Sequence, residues 1–342
     1  MQKKRIGFTL QWHVTNACDQ RCKHCYIYNS ENKPVANQEI SLDVSKKVVD
    51  DFISFCRWIG RPPFFVVTGG DPLLYSKIWE VLAYLKSRNV RFSILGNPFH
   101  LNSAVCQRLH ELGCASYQMS IDGMEETHDM FRKDGSFAAT IGAIPLLREA
   151  KIKTMIMTTV SRENFQEIGD VIQATTAAGA NTYTFARYCP THGDTEDNLT
   201  SGEYRDFLSN IWQQIKSQGM QGTRFLYKDH LWKAFLIEEG VIKPPKNNHE
   251  KVADGCHCAS DHLTLLPDGS IYACRRFESN VGNIFDKNLY SVWHGKEMRN
   301  YRRVADIEGC RDCELLYFCR GCRAVAHGTT GNFFAKDPQC WR

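Results

Sequence analysis

The first 190 residues alternate apolar, strand-like runs with amphipathic helical segments, and this alternation restricts the fold more than any other feature of the sequence. Repeated strand–helix units force parallel strands joined by right-handed crossovers. We therefore expect an α/β fold, a partial (βα)6 barrel of the TIM type, followed by a small cysteine-rich domain. Strands are predicted at 8–15, 64–70, 91–95, 115–121, 152–160 and 181–187, and helices at 41–60, 76–89, 103–113, 136–150 and 163–179.

Two serines mark predicted helix starts. Ser41 and Ser76 each precede an apolar pattern with helical period, and a serine oxygen accepts a hydrogen bond from the first turn. Pro145 lies inside the helix predicted at 136–150, where we expect a kink.

Unusual residues gather where these strands end. Three cysteines at 18–25 follow the first strand, "TGGDP" (68–72) the second, "SIDG" (120–123) the fourth and "RYCPTHGD" (187–194) the sixth. The carboxyl ends of parallel barrel strands meet on one face, where barrel enzymes place their chemistry. The sequence therefore predicts one active site there.

Fifteen cysteines in 342 residues are abnormal for a chain without a secretion signal. Cytosolic thiols are kept reduced, so metal or cluster ligation explains them better than disulfides. The net charge of +4 is too small to indicate a nucleic-acid partner. We find no apolar run long enough to span a membrane, and we expect a cytoplasmic protein.

The N-terminal cysteines form a C-x3-C-x2-C pattern, Cys18, Cys22 and Cys25. One interpretation is zinc, with His24 as the fourth ligand. The other is a 4Fe–4S cluster with three thiolate ligands, which leaves one iron open for a small molecule.

The segments "CDQRCKHC", "GGDP" and "QMSIDG" together resemble the radical S-adenosylmethionine (SAM) superfamily. The resemblance implies that Cys18, Cys22 and Cys25 hold a 4Fe–4S cluster whose open iron chelates SAM. It also implies reductive cleavage of SAM to a 5′-deoxyadenosyl radical that removes hydrogen from an unactivated C–H bond. The SAM contacts implied by the resemblance are His24, Tyr26, Gly69, Gly70, Asp71, Ser120, Asp122 and Arg132.

The last third of the chain resembles the SPASM extension of radical SAM peptide-modifying enzymes, with "LLPDGSIYAC" as its hairpin. That module carries two auxiliary 4Fe–4S clusters, which makes three clusters in all. The family usually has C-x3-C where this chain has Cys319-x2-Cys322, and it spaces its first two ligands more widely. A zinc ribbon is the alternative. Matched by position, the first auxiliary cluster takes Cys256, Cys258, Cys274 and Cys322, and the second takes Cys310, Cys313, Cys319 and Cys340.

The remaining cysteines are less informative. Cys56 and Cys106 fall at core-like helix positions and Cys114 opens a strand, which is typical of buried filler. Cys189 follows the sixth strand, where a substrate would lie, and is the one candidate catalytic residue.

The resemblance leads us to expect a peptide maturase that oxidises a ribosomally made, cysteine-rich precursor, with a cysteine thioether cross-link as the expected product. The alternatives are an anaerobic sulfatase-maturing enzyme that forms formylglycine and a zinc-stabilised binding protein. Expected partners are a separate leader-binding protein, since the first strand begins near residue 8, and flavodoxin or ferredoxin as electron donor. The predicted domains are 1–219, 220–250 and 251–342.

Overall fold

The computed structural model describes residues 7–27, 39–190, 194–243, 252 and 254–342. Residues 191–193 of the predicted site segment and most of the predicted connector at 242–255 lie outside these ranges. The strands are β1 Phe8–His13, β2 Pro63–Thr68, β3 Phe92–Leu95, β4 Cys114–Ser120, β5 Lys153–Val160, β6 Thr182–Arg187, β7 Arg224–Leu226, β8 His262–Leu265, β9 Ser270–Tyr272 and β10 Asn280–Asn283. The helices are α1 Leu42–Trp58, α2 Ile78–Ser87, α3 Ser103–Glu111, α4 Glu125–Phe131, α5 Ser136–Glu149, α6 Ile168–Ala177, α7 Ser201–Gln218, α8 Leu231–Glu238, α9 Leu289–Trp293, α10 Lys296–Asn300 and α11 Arg323–Thr330.

The chain divides into two compact units that do not follow chain order. The first comprises Met1–Met119, Gly142–Thr154 and Cys258–Arg302, and the second comprises Ser120–Ile141, Met155–His257 and Arg303–Arg342. Each unit therefore contains segments from the predicted barrel and from the cysteine-rich third. The boundaries of the three predicted domains stay a prediction.

The strands of the first unit pair in the order β10-β9-β8-β1-β2-β3-β4. β1 to β4 are parallel to their neighbours, as the strand–helix alternation predicts. β8 also pairs with β1 in parallel, with Leu10 opposite Leu263, while β9 and β10 return antiparallel. The predicted hairpin of the cysteine-rich third is therefore present, and it extends the sheet beyond β1.

The core of the first unit lies between β1 and the helices that cover it. Phe8 is fully buried, with its ring centroid 5.1 Å from Phe55 on α1 and 4.9 Å from Trp293 on α9. Residues facing this core alternate with the more polar Thr9 and Gln11, since successive strand side chains point to opposite faces. One face of β1 packs against helices and the other carries polar groups.

In the second unit, β5, β6 and β7 form a parallel set. Aromatic residues fill its core. The ring centroid of Phe185 in β6 lies 5.2 Å from that of Phe207 in α7 and 5.7 Å from that of Trp232 in α8. α7 begins with a capping box, in which Thr200 and Glu203 satisfy each other's backbone amides.

Most predicted elements are present, with three corrections. Ser41 caps α1, as predicted. Ser76 does not cap α2: Asp71 caps a short 3-10 turn at Pro72–Leu74, and the helix starts only after Lys77. The helix predicted from residue 163 begins with a 3-10 turn at Phe165–Glu167.

The third correction is α4, which the sequence analysis missed. It is seven residues long and buries only His128 and Phe131, so it carries too little apolar periodicity to be recognised. Among the described residues, no helix combines the length and the apolar character needed to cross a membrane.

Candidate active site

The loop that carries Cys18, Cys22 and Cys25 follows β1, and its described residues 14–27 form no helix or strand. Its three cysteines are half-buried, and the Cys25 amide donates to the Cys22 carbonyl at 3.1 Å. Asn97, in the loop after β3, donates from its side-chain amide to Cys18 Sγ at 3.3 Å and to Asp19 at 3.1 Å. The loop after β3 thus contacts the predicted cluster loop through a hydrogen bond to the thiol of Cys18.

The glycines of "GGDP" are explained by contact with this loop. The Gly70 amide donates to the Thr15 carbonyl at 2.8 Å, and the Asp71 amide donates to the Ala17 carbonyl at 2.7 Å. A Cβ atom on Gly69 or Gly70 would collide with those same carbonyls, and Gly69 has a φ of +153°. Glycine is therefore required here for close packing of the end of β2 against the cysteine loop.

Asp71 is fully buried beneath the loop, and one of its oxygens accepts from the Leu73 amide at 3.0 Å. Burial raises the pKa of Asp71 to about 6, although the Leu73 amide and His100 oppose this shift. Its other oxygen has no hydrogen-bond partner among the described residues and lies 4.0 Å from His100 Nε2. One oxygen of this buried carboxylate is therefore left without a hydrogen bond from the described residues.

Asp71 belongs to a group of potential metal ligands that the sequence analysis did not find. Among the described residues, one trio of potential ligand groups has all donor atoms within 4.8 Å of one another: Asp19, Asp71 and His100. The available signal was position, since Asp19 lies between Cys18 and Cys22 and His100 follows β3.

This spacing also bears on the zinc alternative. Tetrahedral zinc with thiolate bonds near 2.3 Å holds its sulfurs roughly 3.8 Å apart. All fifteen cysteines are described and none forms a disulfide, yet no cysteine trio meets even the 4.8 Å limit. A cluster binds its thiolates through different irons and so spaces them more widely. The ligand sets named in the sequence analysis therefore stay predictions.

In the second unit, the predicted SAM contacts Asp122 and Arg132 face each other. Arg132 Nε donates to Asp122 Oδ2 at 2.6 Å, and the Thr159 amide donates to Oδ1 at 2.8 Å. Asp122 is fully buried, and Ser120 is half-buried at the end of β4. Both oxygens of Asp122 are thus engaged within the protein, and the predicted contacts of these residues with SAM stay predictions.

The four cysteines predicted for the second auxiliary cluster line one cavity of about 570 Å³ in the second unit. Cys310 and Cys319 are buried, while Cys313 and Cys340 are half-buried. Four thiols on one cavity wall supply a complete ligand set for a 4Fe–4S cluster. The cavity is lined by Ala234, Gly309, Cys310, Asp312, Cys313, Glu314, Leu315, Leu316, Cys319, Arg320, Gly321, Asp337, Cys340 and Arg342.

The four cysteines predicted for the first auxiliary cluster are divided between the units. Cys256 and Cys322 belong to the second unit, and Cys258 and Cys274 belong to the first. Their joint ligation stays a prediction. Cys189 is half-buried after β6, and Cys56, Cys106 and Cys114 are buried as expected of core filler.

A buried ion cluster supports the cavity that holds the second cysteine set. Arg187, at the end of β6, donates through Nη1 and Nη2 to the two oxygens of Asp337, each at 2.8 Å, and through Nε to Asp229 at 2.9 Å. All three side chains are at most 2% exposed. Asp337, which lies three residues before Cys340 in the sequence, also accepts a hydrogen bond from the Cys322 amide at 2.6 Å. Arg187 thus fixes the chain segment that carries two predicted cluster ligands.

Known sequence families match both parts of this arrangement. The model of the radical SAM superfamily matches residues 12–175, which include Cys18, Cys22 and Cys25. A SPASM model, described as an iron–sulfur cluster-binding domain, matches residues 256–314. This protein is a radical SAM enzyme with a SPASM domain. The recognition made from the cysteine pattern is confirmed, and the two domains imply iron–sulfur clusters and SAM as cofactors.

Curated relatives of this radical SAM enzyme match over nearly its whole length. The AdoMet-dependent heme synthase of Methanosarcina barkeri is 27% identical, over 97% of this chain and 95% of that protein. The mycofactocin maturase MftC of Mycolicibacterium smegmatis is 26% identical, over 97% of this chain and 82% of that protein. These relatives are enzymes with different products.

Solved structures confirm the fold class. Native anSMEcpe with bound AdoMet has a TM-score of 0.76 at 19% identity, covering 97% of this chain and 93% of that chain. Streptococcus suis SuiB bound to precursor peptide SuiA has a TM-score of 0.78 at 15% identity, covering 99% and 76%. At these identities the likeness shows a shared fold: a TIM-like radical SAM barrel with a small SPASM domain.

We expect Arg187→Met to destabilise the radical SAM enzyme by about 3–5 kcal/mol, because it leaves two buried carboxylates without their cation. The measurement is urea unfolding followed by tryptophan fluorescence. Arg162→Met is the matched control, since Arg162 pairs with Glu203 at 2.8 Å with both side chains at least 40% exposed. Exposed pairs contribute only about 0–1 kcal/mol. Equal effects of the two substitutions would contradict the structural role of Arg187.

Proposed function

We propose that this protein is a peptide maturase that uses SAM-derived radical chemistry to oxidise a ribosomally made precursor. The observation that carries the proposal is the cavity lined by Cys310, Cys313, Cys319 and Cys340. A redox centre held there would provide an acceptor for the electron that a substrate radical gives up, and would so favour net oxidation over epimerisation. The mycofactocin maturases and the peptide-bound SuiB structure support a peptide as substrate.

The product we propose is a thioether cross-link. Its formation removes one hydrogen atom from a C–H bond, and one proton and one electron as the cysteine sulfur bonds to that carbon. SAM, when bound, would supply the 5′-deoxyadenosyl radical that takes up the hydrogen atom. A cluster held by Cys310, Cys313, Cys319 and Cys340 would accept the electron, and the thiol proton would pass to water. Cys189 is the candidate for a contact with the substrate. A formylglycine product is the alternative outcome of the same oxidative chemistry.

We propose three 4Fe–4S clusters, held by the three cysteine sets named above. We also propose a separate leader-binding partner, a flavodoxin or ferredoxin as electron donor, and a cytoplasmic location. His24, Tyr26, Gly69, Gly70 and Asp71 are the proposed SAM contacts of the first unit. The trio of Asp71, Asp19 and His100 supports this placement, because carboxylates suit the ammonium group of SAM.

A second candidate function is formation of heme. Two AdoMet-dependent heme synthases are 27% and 28% identical to this chain over 97% of its length, slightly more than the mycofactocin maturases. Under this alternative the enzyme would act on an iron porphyrin, such as the product of the related Fe-coproporphyrin III synthase.

Anaerobic co-expression with small open reading frames of the genomic neighbourhood tests the proposal. We expect one encoded peptide to lose two hydrogens per cross-link, with fragmentation locating the new bond between a cysteine sulfur and a carbon. The triple alanine variant of Cys18, Cys22 and Cys25 is the control and should leave the peptide unchanged. If the enzyme forms heme from added iron coproporphyrin III and leaves every peptide unmodified, the heme synthase proposal replaces the maturase proposal.

The number of clusters is tested by iron analysis after anaerobic reconstitution. Three clusters of four irons predict about 12 irons per chain. The triple alanine variant of Cys18, Cys22 and Cys25 should retain about 8 irons and cleave no SAM. The quadruple alanine variant of the cavity cysteines should also retain about 8 irons but still cleave SAM. Equal SAM cleavage by the triple and the quadruple variant would overturn the assignment of the SAM cluster to Cys18, Cys22 and Cys25.

Asp71→Asn should weaken SAM binding by about 10- to 100-fold at pH 8, because it removes one charge-assisted hydrogen bond. Since the pKa of Asp71 is raised to about 6, the wild-type carboxyl becomes neutral as the pH falls through that value. SAM affinity of the wild type should therefore fall below pH 6, whereas Asp71→Asn should lack this step. Equilibrium dialysis at several pH values measures the SAM affinity of the wild type and of Asp71→Asn. Asp43→Asn, exposed in the first turn of α1, is the control.

A further inference from the structure

A polar wall lies on the face of β1 opposite the aromatic core of the first unit. Gln11 and His13 are two residues apart and therefore share this face. The parallel register of β1 with β8 places Thr264 directly beside Gln11, and β9 in turn places Tyr272 opposite Thr264. The wall is thus built by the first strand and the SPASM hairpin together.

Three atoms around this wall are buried without a hydrogen-bond partner among the described residues: His13 Nδ1, Thr264 Oγ1 and Arg275 Nε. His13 is 1% exposed, and its Nε2 is 3.3 Å from the side-chain amide of Gln11. Nearly all buried polar groups in folded proteins are hydrogen-bonded. Three exceptions around one wall point to a polar ligand.

Arg275 supplies the charge of this group. It lies three residues after the end of β9, and its guanidinium carbon is 4.9 Å from the centre of the ring of Tyr26, in the loop that carries the three N-terminal cysteines. The Tyr26 ring is in turn 6.4 Å from the His13 ring. Arg275 makes no ion pair or hydrogen bond with any other residue that the structure describes. Burial, and then the charge of Arg275, hold the pKa of His13 well below its usual value, so His13 is neutral at pH 7.

We propose that Arg275, with His13 and Thr264, binds a carboxylate group of the substrate peptide. A guanidinium presents paired N–H donors that match the two oxygens of a carboxylate. The neutral imidazole and the hydroxyl add hydrogen bonds without adding charge. This inference rests on the proposed function and specifies it: the precursor carries an aspartate, a glutamate or its own C-terminus close to the modified residue.

SAM also carries a carboxylate, but its proposed ammonium site lies on the other side of β1. Asp71 follows β2 and lies 4.0 Å from His100 in the loop after β3, whereas Arg275 follows β9, beyond β8. Neighbouring strands are spaced by about 4.8 Å, while the ammonium and carboxylate of SAM share one carbon atom. A site at Arg275 therefore suits a different carboxylate.

The first experiment compares Arg275→Gln and Arg275→Lys with the wild-type enzyme, using the precursor found by co-expression. We expect Arg275→Gln to raise the KM for the precursor by about 10- to 100-fold and to change the Kd for SAM by less than about twofold. Arg275→Lys should recover part of the loss, because it restores the charge without the paired donors. Arg108→Gln is the matched control, since Arg108 also lies over an aromatic ring, 4.1 Å from Trp79, but is exposed on α3.

Replacing each aspartate and glutamate of the precursor by its amide, and amidating the C-terminus, identifies the bound carboxylate. One such change should raise KM in the wild type and have no further effect in Arg275→Gln. An unchanged KM in Arg275→Gln would overturn the inference while leaving the maturase proposal standing. A weakened Kd for SAM alone would assign Arg275 to the carboxylate of SAM and would equally overturn it.

The second experiment needs no precursor, so it separates this inference from the proposed function. Phenylglyoxal modifies accessible arginines of the reconstituted enzyme, and peptide mapping by mass spectrometry follows each site. Glutarate, as a simple dicarboxylate probe, should slow the modification of Arg275 several-fold but leave Arg108 unaffected. Equal modification of Arg275 with and without glutarate would overturn the carboxylate site, whatever the natural substrate.

Discussion

The parallel pairing of β1 with β8 is the interaction on which the first unit depends. It joins residues 9–12 to residues 262–265 and so incorporates a hairpin from the last third of the chain into the sheet formed by the first third. The cysteine loop begins at the end of β1, and Arg275 follows the hairpin. Because these strands are hydrogen-bonded neighbours, Arg275 can reach Tyr26 in the cysteine loop. The SPASM segment therefore contributes directly to the polar surroundings of the proposed SAM cluster.

The second unit depends on a different kind of interaction. Arg187 lies at the end of a core strand and holds Asp337 through two parallel hydrogen bonds, with Asp229 as a second anion. A buried ion pair contributes little net stability but strongly favours one arrangement of its partners, since a misplaced partner leaves a buried charge unpaired. The cluster proposed for this cavity would need four thiols at fixed positions, and for that purpose specificity of arrangement matters more than added stability.

Sequence reasoning predicted the features that local pattern or motif spacing encodes. Apolar periodicity located β1 to β6 and α1 with its Ser41 cap. The resemblance to the SPASM module grouped Cys310, Cys313, Cys319 and Cys340, which all line one cavity. Sequence reasoning failed where a residue outside the local pattern decides which element forms. Nothing near Ser76 indicates that Asp71 would cap a separate turn first, and α4 has too few buried residues to show a period. The β1–β8 register and the cluster of Arg187, Asp229 and Asp337 join segments far apart in sequence, so no local sequence pattern predicts them.

The pairing of β1 with β8 also has a consequence for the newly made chain on the ribosome. Strands form against β2 early, but the opposite edge of β1 has no partner until residues near 262 are synthesised. At roughly 5–20 residues per second, this edge stays open for on the order of 10–50 s. An open parallel edge beside apolar residues is a template for pairing with other chains. Until residues near 262 emerge, the free edge of β1 is therefore a site where the incomplete chain can pair with the wrong strand.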